Sequence, residues 1–341
     1  MPRYRIWRSR LVQQPDTESA VQPRQPNAQQ RQLIDDYLRH LQTERGYSPH
    51  TLTNYRFDLI ELARLAAARP WSDLGEQDIR RWVATRSRLD GAPRSIARTL
   101  SCWRGWFDWL GQRDTVQQNP ARAVKAPKAG KRLPKALSPD MAAQLLQPSQ
   151  ASASFEQLRD TAILELLYSS GLRLSELTSL DGRYVEGGDY RSSSWIDLQQ
   201  QEATVLGKGN KRRMVPVGGH AAVALEAWLQ HRQQLPGGDV PSSDRAALFI
   251  NSRGKRLSNR SVQAIVARRA QQQGVPTRVH PHVLRHSFAS HLLQSSGDLR
   301  GVQELLGHAN ITTTQVYTSL DFQRLAAVYD AAHPRAKRKS P

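Results

Sequence analysis

The sequence predicts a mainly α-helical protein of two domains, with one small antiparallel β-sheet in the second domain. The chain has 341 residues, more than a typical single domain. Apolar residues recur at helical spacing through most of residues 28–118 and 136–335. Between these two regions lies a segment, residues 119–135, with six basic residues, three prolines and no acidic residue. Such a segment is typical of an interdomain linker and is not expected to pack.

The first domain, residues 28–118, is predicted to be a compact bundle of about four helices. Ile34, Leu38 and Leu41 recur at the spacing of one helix face. Ser48 followed by Pro49 is a typical helix start, with serine as the N-cap and proline in the first turn. Further helices are expected from residues 74–76 onward and from about 93 to 110. Residues 1–27 and 336–341 are predicted to be basic tails, the first of them disordered.

The second domain, residues 136–335, combines helices with three short strands. Helices are expected to start at Ser138-Pro139 and to cover residues 155–170, ending at Gly171. From about residue 258 the pattern is again helical. The strand-like runs are Trp195–Leu198, Ala203–Leu206 and Arg213–Val217. The stretch Asp181–Ala203 is long for a connection and is expected to be a surface loop.

The charge of the chain indicates a polyanionic partner. Lysine and arginine number 49 against 30 acidic residues, a formal net charge of +19. Packed cores do not need such an excess, so nucleic acid is the leading candidate and an anionic membrane surface is the second. No apolar run approaches the roughly 18–20 residues of a spanning helix. The basic start is not followed by the apolar region of a signal peptide, and the single cysteine, Cys102, fits a reducing cytosol.

The sequence gives no sign of a metal or a cofactor. We find no Cys/His cluster with zinc spacing and no phosphate-binding glycine loop. If the partner is DNA, a cationic linker allows the two domains to close around the duplex as a clamp. The alternative is a linker that is merely solvated. We assign DNA contacts to these residues: Arg94, Arg98, Lys125, Lys128, Lys131, Arg132 and Lys135.

Four segments of the second domain contain the parts of a phosphoryl-transfer site. Arg173 follows the predicted helix stop, and Lys208 lies in a glycine-flanked turn. His282 and Arg285 are three residues apart and therefore share one helix face. The fourth segment contains His308, followed nine residues later by Tyr317.

Each of these residues alone has a plain structural explanation, such as a salt bridge between Arg173 and Glu176 or a solvated Lys208. Together they supply what cleavage of a phosphodiester without metal requires. Arginines neutralise the charge that grows on the non-bridging oxygens, a tyrosine attacks, and other groups transfer protons.

The strings that contain these residues resemble the tyrosine recombinase (phage-integrase-like) family. They are Gly171-Leu-Arg-Leu-Ser-Glu-Leu177, Gly207-Lys-Gly-Asn-Lys211, His282-Val-Leu-Arg-His-Ser-Phe288 and Leu305-Leu-Gly-His308 with Tyr317. They occur in the family's order, and residues 28–118 resemble the family's core-binding domain. Within the family the likeness is to the bacterial Xer recombinases, and the ending from Tyr329 to Arg338 resembles the XerC type more than the XerD type.

The resemblance implies a role for each matched residue. Arg173 and Arg285 would clamp the scissile phosphate, with His308 bonded to the same group. Lys208 would be the general acid and His282 would help to take the proton of the tyrosine. Tyr317 would be the nucleophile that forms a 3′-phosphotyrosyl link. Glu176 would orient Arg173.

The resemblance also implies the partners. They are a double-stranded DNA recombination site, a paired XerD-like recombinase in a heterotetramer that works through a Holliday junction, and a septal DNA translocase. A mobile-element integrase uses the same chemistry and stays open at this point. A monomeric type IB topoisomerase is disfavoured, because Asp321 caps a predicted last helix of the kind that docks on a neighbouring subunit in this family. A non-catalytic DNA-binding protein is disfavoured because all six site residues are present.

Overall fold

The structure is a computed structural model that describes residues 26–67, 69–89, 91–128, 136–147, 154–207, 211–233, 240–277, 279–306 and 329. The chain forms two compact units, one on either side of residues 129–135. Within the described ranges, no helix is long and apolar enough to cross a membrane.

The first unit contains the predicted bundle of helices. They are α1 (Ala28–Thr43), α2 (Pro49–Ala66), α3 (Glu76–Arg88) and α4 (Pro93–Gly111), with a 3-10 turn at Trp71–Asp73. The Ser48 hydroxyl accepts a hydrogen bond from the Thr51 amide at 3.3 Å, so the predicted cap of α2 is confirmed. The core is centred on α4, whose Trp103 and Trp106 are fully buried. Cys102 is also buried.

The prediction that residues 119–135 do not pack is wrong for the beginning of this segment. Ala121 and Val124 are buried in the core of the first unit. Arg104 on α4 donates hydrogen bonds to both of their carbonyl groups, at 3.0 and 2.6 Å. The small apolar residues between the basic ones thus dock on α4, while Lys125 and Lys128 stay exposed.

The second unit is built around one buried helix. Its helices are α5 (Pro139–Leu146), α6 (Phe155–Ser170), α7 (Leu174–Ser179), α8 (Gly219–Gln233), α9 (Ser242–Ala246), α10 (Asn259–Gln272), α11 (Pro281–Ser296) and α12 (Leu299–Leu306). Helix α6 is buried along most of its length and packs against α5, α8, α10 and α11. A helix that is apolar on most sides is expected at such a central position.

The three predicted strands form, together with three that were not predicted. Strands β1 (Leu180–Asp181), β4 (Ser194–Asp197), β5 (Glu202–Leu206) and β6 (Arg212–Pro216) make one sheet in that order. The sheet is small, as predicted, but its edge strand β1 runs parallel to β4. Residues 182–193, which connect them, return the chain to the same end. They contain a hairpin of β2 (Glu186–Gly187) and β3 (Tyr190–Arg191), so the expected loop is partly ordered as sheet.

The start of the second unit is fixed to α11. The amide of Leu137 donates to the Ser287 hydroxyl at 2.9 Å, and the Leu137 carbonyl lies 2.8 Å from Nε2 of His291. Nδ1 of His291 lies 2.8 Å from the Tyr168 hydroxyl. A neutral imidazole with Nε2–H as donor satisfies both contacts. Burial lowers the pKa of His291, which favours this neutral form.

Candidate active site

Arg285 lies on α11 at the centre of the candidate site. Its side chain is only 7% exposed. Nη1 donates to the carbonyl of Gly171, and Nη2 donates to the carbonyl of Leu306 at 2.6 Å. One buried guanidinium therefore connects the segment that leads into Arg173 with the segment that leads into His308.

Gly171 permits this contact for two reasons. It ends α6 in the left-handed region, at φ +57°, where residues with a side chain are strained. A Cβ atom at this position would also lie 2.4 Å from Cδ1 of Phe288 on α11. The glycine lets the backbone after α6 approach α11 closely enough for Arg285 to reach its carbonyl.

Arg173 is held at the start of α7 by Glu176. The Arg173 amide donates to Oε2 at 2.7 Å, and its Nη1 donates to Oε1 at 2.8 Å. The Arg173 side chain is 35% exposed, whereas that of Glu176 is 3% exposed. The predicted pairing of these residues is therefore present, and about a third of the Arg173 side chain stays exposed.

Arg213 on β6 was not among the predicted site residues, yet it is bonded to Glu176. Its Nη1 and Nη2 donate to the two carboxylate oxygens at 2.8 and 2.9 Å. Its Nε donates to the carbonyl of Leu305 at 3.2 Å. Period-two alternation could have revealed it, since Arg213 shares the inward face of the strand with Val215.

Both the carboxylate and the central arginine of this network are charged at neutral pH. Burial opposes ionisation of Glu176, but the hydrogen bonds and charge of Arg213, and then of Arg173, lower its pKa to about 2. Burial, followed by the charge of Arg173, lowers the pKa of Arg285 to about 10. Among the described residues of this network, three arginines (Arg173, Arg213 and Arg285) thus face one carboxylate, which gives an excess of positive charge.

His282 lies in the first turn of α11, on the same helix as Arg285, but its side chain is exposed. Its ring is parallel to that of His280, with the centroids 6.2 Å apart. The imidazole is exposed to solvent, while the arginine three residues later is fixed in the interior, so the two residues do not share one environment although they lie on the same helix.

Comparison with known proteins identifies the family. Residues 135–324 match the phage integrase family, and residues 34–114 match the phage integrase N-terminal SAM-like domain. The chain belongs to the phage integrase family.

Relatives and solved structures agree. Tyrosine recombinase XerC 1 of Ralstonia nicotianae is 55% identical and covers 90% of this chain and 94% of its own length. Tyrosine recombinase XerC of Alcanivorax borkumensis is 48% identical, with 90% and 95% coverage. The crystal structure of XerH site-specific recombinase bound to palindromic difH substrate has the same fold, with a TM-score of 0.60. It is 20% identical over 87% of this chain and 83% of that one. This protein is thus a site-specific tyrosine recombinase of the XerC type, an enzyme that cleaves and rejoins DNA.

Several predicted residues of the recombinase lie outside the described ranges. They are Lys208, His308 and Tyr317 of the site, and Lys131, Arg132 and Lys135 of the linker. The described residues place their neighbours: Lys208 is between β5 and β6, and His308 comes two residues after α12. In the described part of the chain no group of side chains is arranged to hold a metal ion.

Arg94 and Arg98, the DNA contacts predicted for the first domain, are both exposed on α4. Arg98 also donates to Oδ1 of Asp58 at 2.9 Å. Asp58 is buried, and burial raises its pKa to about 6 even though Arg98 acts in the opposite direction. Arg98 therefore has a structural task in addition to the predicted contact with DNA.

Proposed function

We propose that Arg173 and Arg285 bind the scissile phosphate of a recombination site while Tyr317 attacks it. The observation that supports this most is the arrangement of the two arginines. Each is held by its own acceptors, Arg173 by Glu176 and Arg285 by two carbonyl groups. A guanidinium carries its N–H donors in one fixed plane, a geometry that matches the non-bridging oxygens of a phosphate. Because the donors are fixed before the reaction, little reorganisation is needed as negative charge develops.

The proton transfers are assigned to the remaining residues. A phenol has an ordinary pKa of about 10, so attack at neutral pH needs a positive environment and a group that takes the proton. The net charge of the arginine cluster supplies the first, and the exposed His282 supplies the second. Lys208 protonates the departing 5′ oxygen, and His308 bonds to the phosphate. The product is a 3′-phosphotyrosyl link, which conserves the bond energy for rejoining.

The substrate proposed is a double-stranded recombination site on the bacterial chromosome, and the place of action is the cytoplasm. The charge of +19 and the exposed Lys125 and Lys128 support electrostatic binding of the duplex. The curated relatives are named XerC. We therefore propose a heterotetramer with an XerD-like recombinase, strand exchange through a Holliday junction, and control by a septal DNA translocase in the resolution of chromosome dimers.

Trapping of the covalent complex tests the nucleophile. On a suicide substrate nicked near the cleavage point, the native protein and the control variant Tyr184→Phe should give a covalent band on a denaturing gel. Tyr184 is exposed and lies far from Tyr317 in the sequence. Tyr317→Phe should bind the same DNA and give no band. A band from Tyr317→Phe would show that another residue is the nucleophile.

A second reaction, with an intact recombination site, tests whether the protein works with an XerD-like partner. Holliday junctions should accumulate only when an XerD-like recombinase is added. Junction formation by this protein alone would argue for a homotetramer.

A further inference from the structure

We infer that Arg213 is a positioning residue of the active site, which fixes three of its segments relative to one another. The inference rests on the proposed roles of Arg173 and His308. All three guanidinium nitrogens of Arg213 are bonded to Glu176 or to the Leu305 carbonyl, so we expect it to act through these groups and not by touching the substrate.

The position of Arg213 in the sheet explains why an arginine is buried there. Arg213 and Val215 alternate with Arg212 and Met214 along β6, and the first pair faces inward. On the neighbouring strand, Arg213 pairs with Val205, which is also buried. An arginine on the apolar face of a sheet is costly unless its charge and its N–H groups are all satisfied.

The first group that Arg213 positions is Glu176. A bidentate bond fixes the plane of the carboxylate, and the same carboxylate accepts from the amide and from Nη1 of Arg173. The orientation of the exposed arginine is therefore set by the buried one, through a shared acceptor. A lysine at position 213 has the positive charge but not the planar pair of N–H donors of a guanidinium, and therefore cannot fix the plane of the carboxylate.

The second group is the end of α12. The carbonyl groups in the last turn of a helix have no partner within the helix. Here Arg213 donates to the carbonyl of Leu305, and Arg285 donates to that of Leu306. Two arginines from different elements thus fix the helix end that directly precedes Gly307 and His308.

The third group is Gly207, which follows β5 and precedes Lys208 in the sequence. A Cβ atom at Gly207 would be 3.2 Å from Nη1 of Arg213 and 4.0 Å from Oε1 of Glu176. The amide of Gly207 also donates to the carbonyl of Lys211 at 2.8 Å. Arg213 and Glu176 therefore fix the backbone at the residue that directly precedes Lys208.

Removing Arg213 should make the site sensitive to pH. In Arg213→Met, Glu176 loses its bidentate partner and keeps, among the described residues, the bonds of Arg173 and the nearby charge of Arg285. Burial then favours the protonated acid more strongly than in the native protein. A protonated Glu176 accepts more weakly and holds Arg173 less firmly. Cleavage by the variant should therefore decrease as the pH falls from about 8 to about 6. Over this range Glu176 of the native protein stays ionised, since its pKa is about 2.

The experiment measures single-turnover cleavage and DNA affinity for Arg213→Met and Arg213→Lys. We expect Arg213→Met to lose on the order of 100-fold in cleavage rate, a loss typical of a small misplacement of catalytic groups. DNA affinity should stay within about three-fold, because the guanidinium nitrogens of Arg213 are bonded within the protein. Arg213→Lys should recover part of the rate. Adding Glu176→Gln to Arg213→Met should abolish the new pH dependence.

The matched control is Arg159→Met. Arg159 is buried, donates twice to Asp160 and once to the carbonyl of Ile250, and so has the same kind of partners as Arg213. Its loss should lower stability and leave the cleavage rate per folded molecule and its pH profile unchanged.

If Arg213→Met and Arg213→Lys behave like Arg159→Met, or neither folds, Arg213 is a structural residue and the inference is wrong. This outcome is separate from failure of the proposed function, which is decided by the Tyr317→Phe reaction.

Discussion

Two buried triads of similar chemistry lie in the second domain. The site triad consists of Arg213, Glu176 and Arg173, and the staple triad consists of Arg159, Asp160 and Arg268. In each, a buried arginine donates twice to a carboxylate and once to a backbone carbonyl, and a more exposed arginine donates to the same carboxylate.

The triads differ in what they connect. Arg159 and Asp160 are neighbours on α6, and their outer partner, Arg268, lies on α10. The site triad joins α7, β6 and the end of α12, each of which lies within four residues of a predicted catalytic residue in the sequence. The chemistry of a buried ion cluster thus does not reveal its purpose, whereas the segments that it connects do. The following predictions test this difference.

The largest expected effect separates the two outer arginines. Arg173 and Arg268 are 35% and 55% exposed, and each leaves its carboxylate paired with a buried arginine when removed. Arg173→Met and Arg268→Met should therefore each lower the free energy of unfolding by about 1 kcal/mol or less. Only Arg173→Met should slow cleavage, by about 10²–10³-fold. Urea unfolding and single-turnover cleavage measure the two quantities, and a similar loss of cleavage in both variants would remove the distinction.

A smaller effect is expected from two glycines in the left-handed region. Gly188, in the β2–β3 hairpin, has φ +60°, and a Cβ atom added there would meet no other atom within 4 Å. Gly188→Ala should therefore lower the free energy of unfolding only through backbone strain, by about 1 kcal/mol. Gly171→Ala adds a clash with Phe288 and should cost more than about 2 kcal/mol. It should also slow cleavage, because Arg285 bonds to the Gly171 carbonyl. Thermal unfolding and cleavage assays compare the two variants. Equal losses of stability would show that the backbone at Gly171 does not pack tightly against α11.

The smallest effect concerns acid. Since Glu176 has a pKa of about 2 in the folded protein against an ordinary 4.5, its contribution to stability is complete above pH 4.5 and is lost as the pH falls towards 2. Between pH 7 and pH 4 the free energy of unfolding of the native protein should fall by about 1 kcal/mol more than that of Glu176→Gln. The measurement is the difference in unfolding free energy between the two proteins from pH 7 to pH 4. The lowered pKa of His291 adds a loss below pH 6.5 in both proteins, so it cancels. A difference that stays constant with pH would contradict the assignment.

Helix starts and strands could be predicted because their signals are local. The caps at Ser48, Ser138 and Ser258 are all present, and each hydroxyl accepts from the amide three residues later. The β2–β3 hairpin was missed although Gly188-Asp189 between Gly187 and Tyr190 is a turn signal, because its strands have only two residues each. The docking of Ala121 and Val124 was missed because it depends on Arg104, a residue of another element.

The site divides in the same way. Arg173, Glu176, His282 and Arg285 are predicted from motif strings, and the structure brings Arg173, Glu176 and Arg285 close to one another. Arg213 was hidden within the basic string Lys211-Arg212-Arg213, in which composition alone suggests solvent. That Arg285 is anchored by carbonyl groups could not be predicted, since backbone acceptors have no sequence signature.

The bonds of Leu137 have a mechanical consequence. Both backbone groups of Leu137 are tied to α11, one to Ser287 and one to His291. Tension that arrives along the chain from the first domain therefore enters the second domain through α11, the helix that contains His282 and Arg285. Tyr168 on α6 shares this load, because its hydroxyl is hydrogen-bonded to Nδ1 of His291. A pull exerted along the chain by the first domain would thus reach the helix that contains two of the predicted catalytic residues.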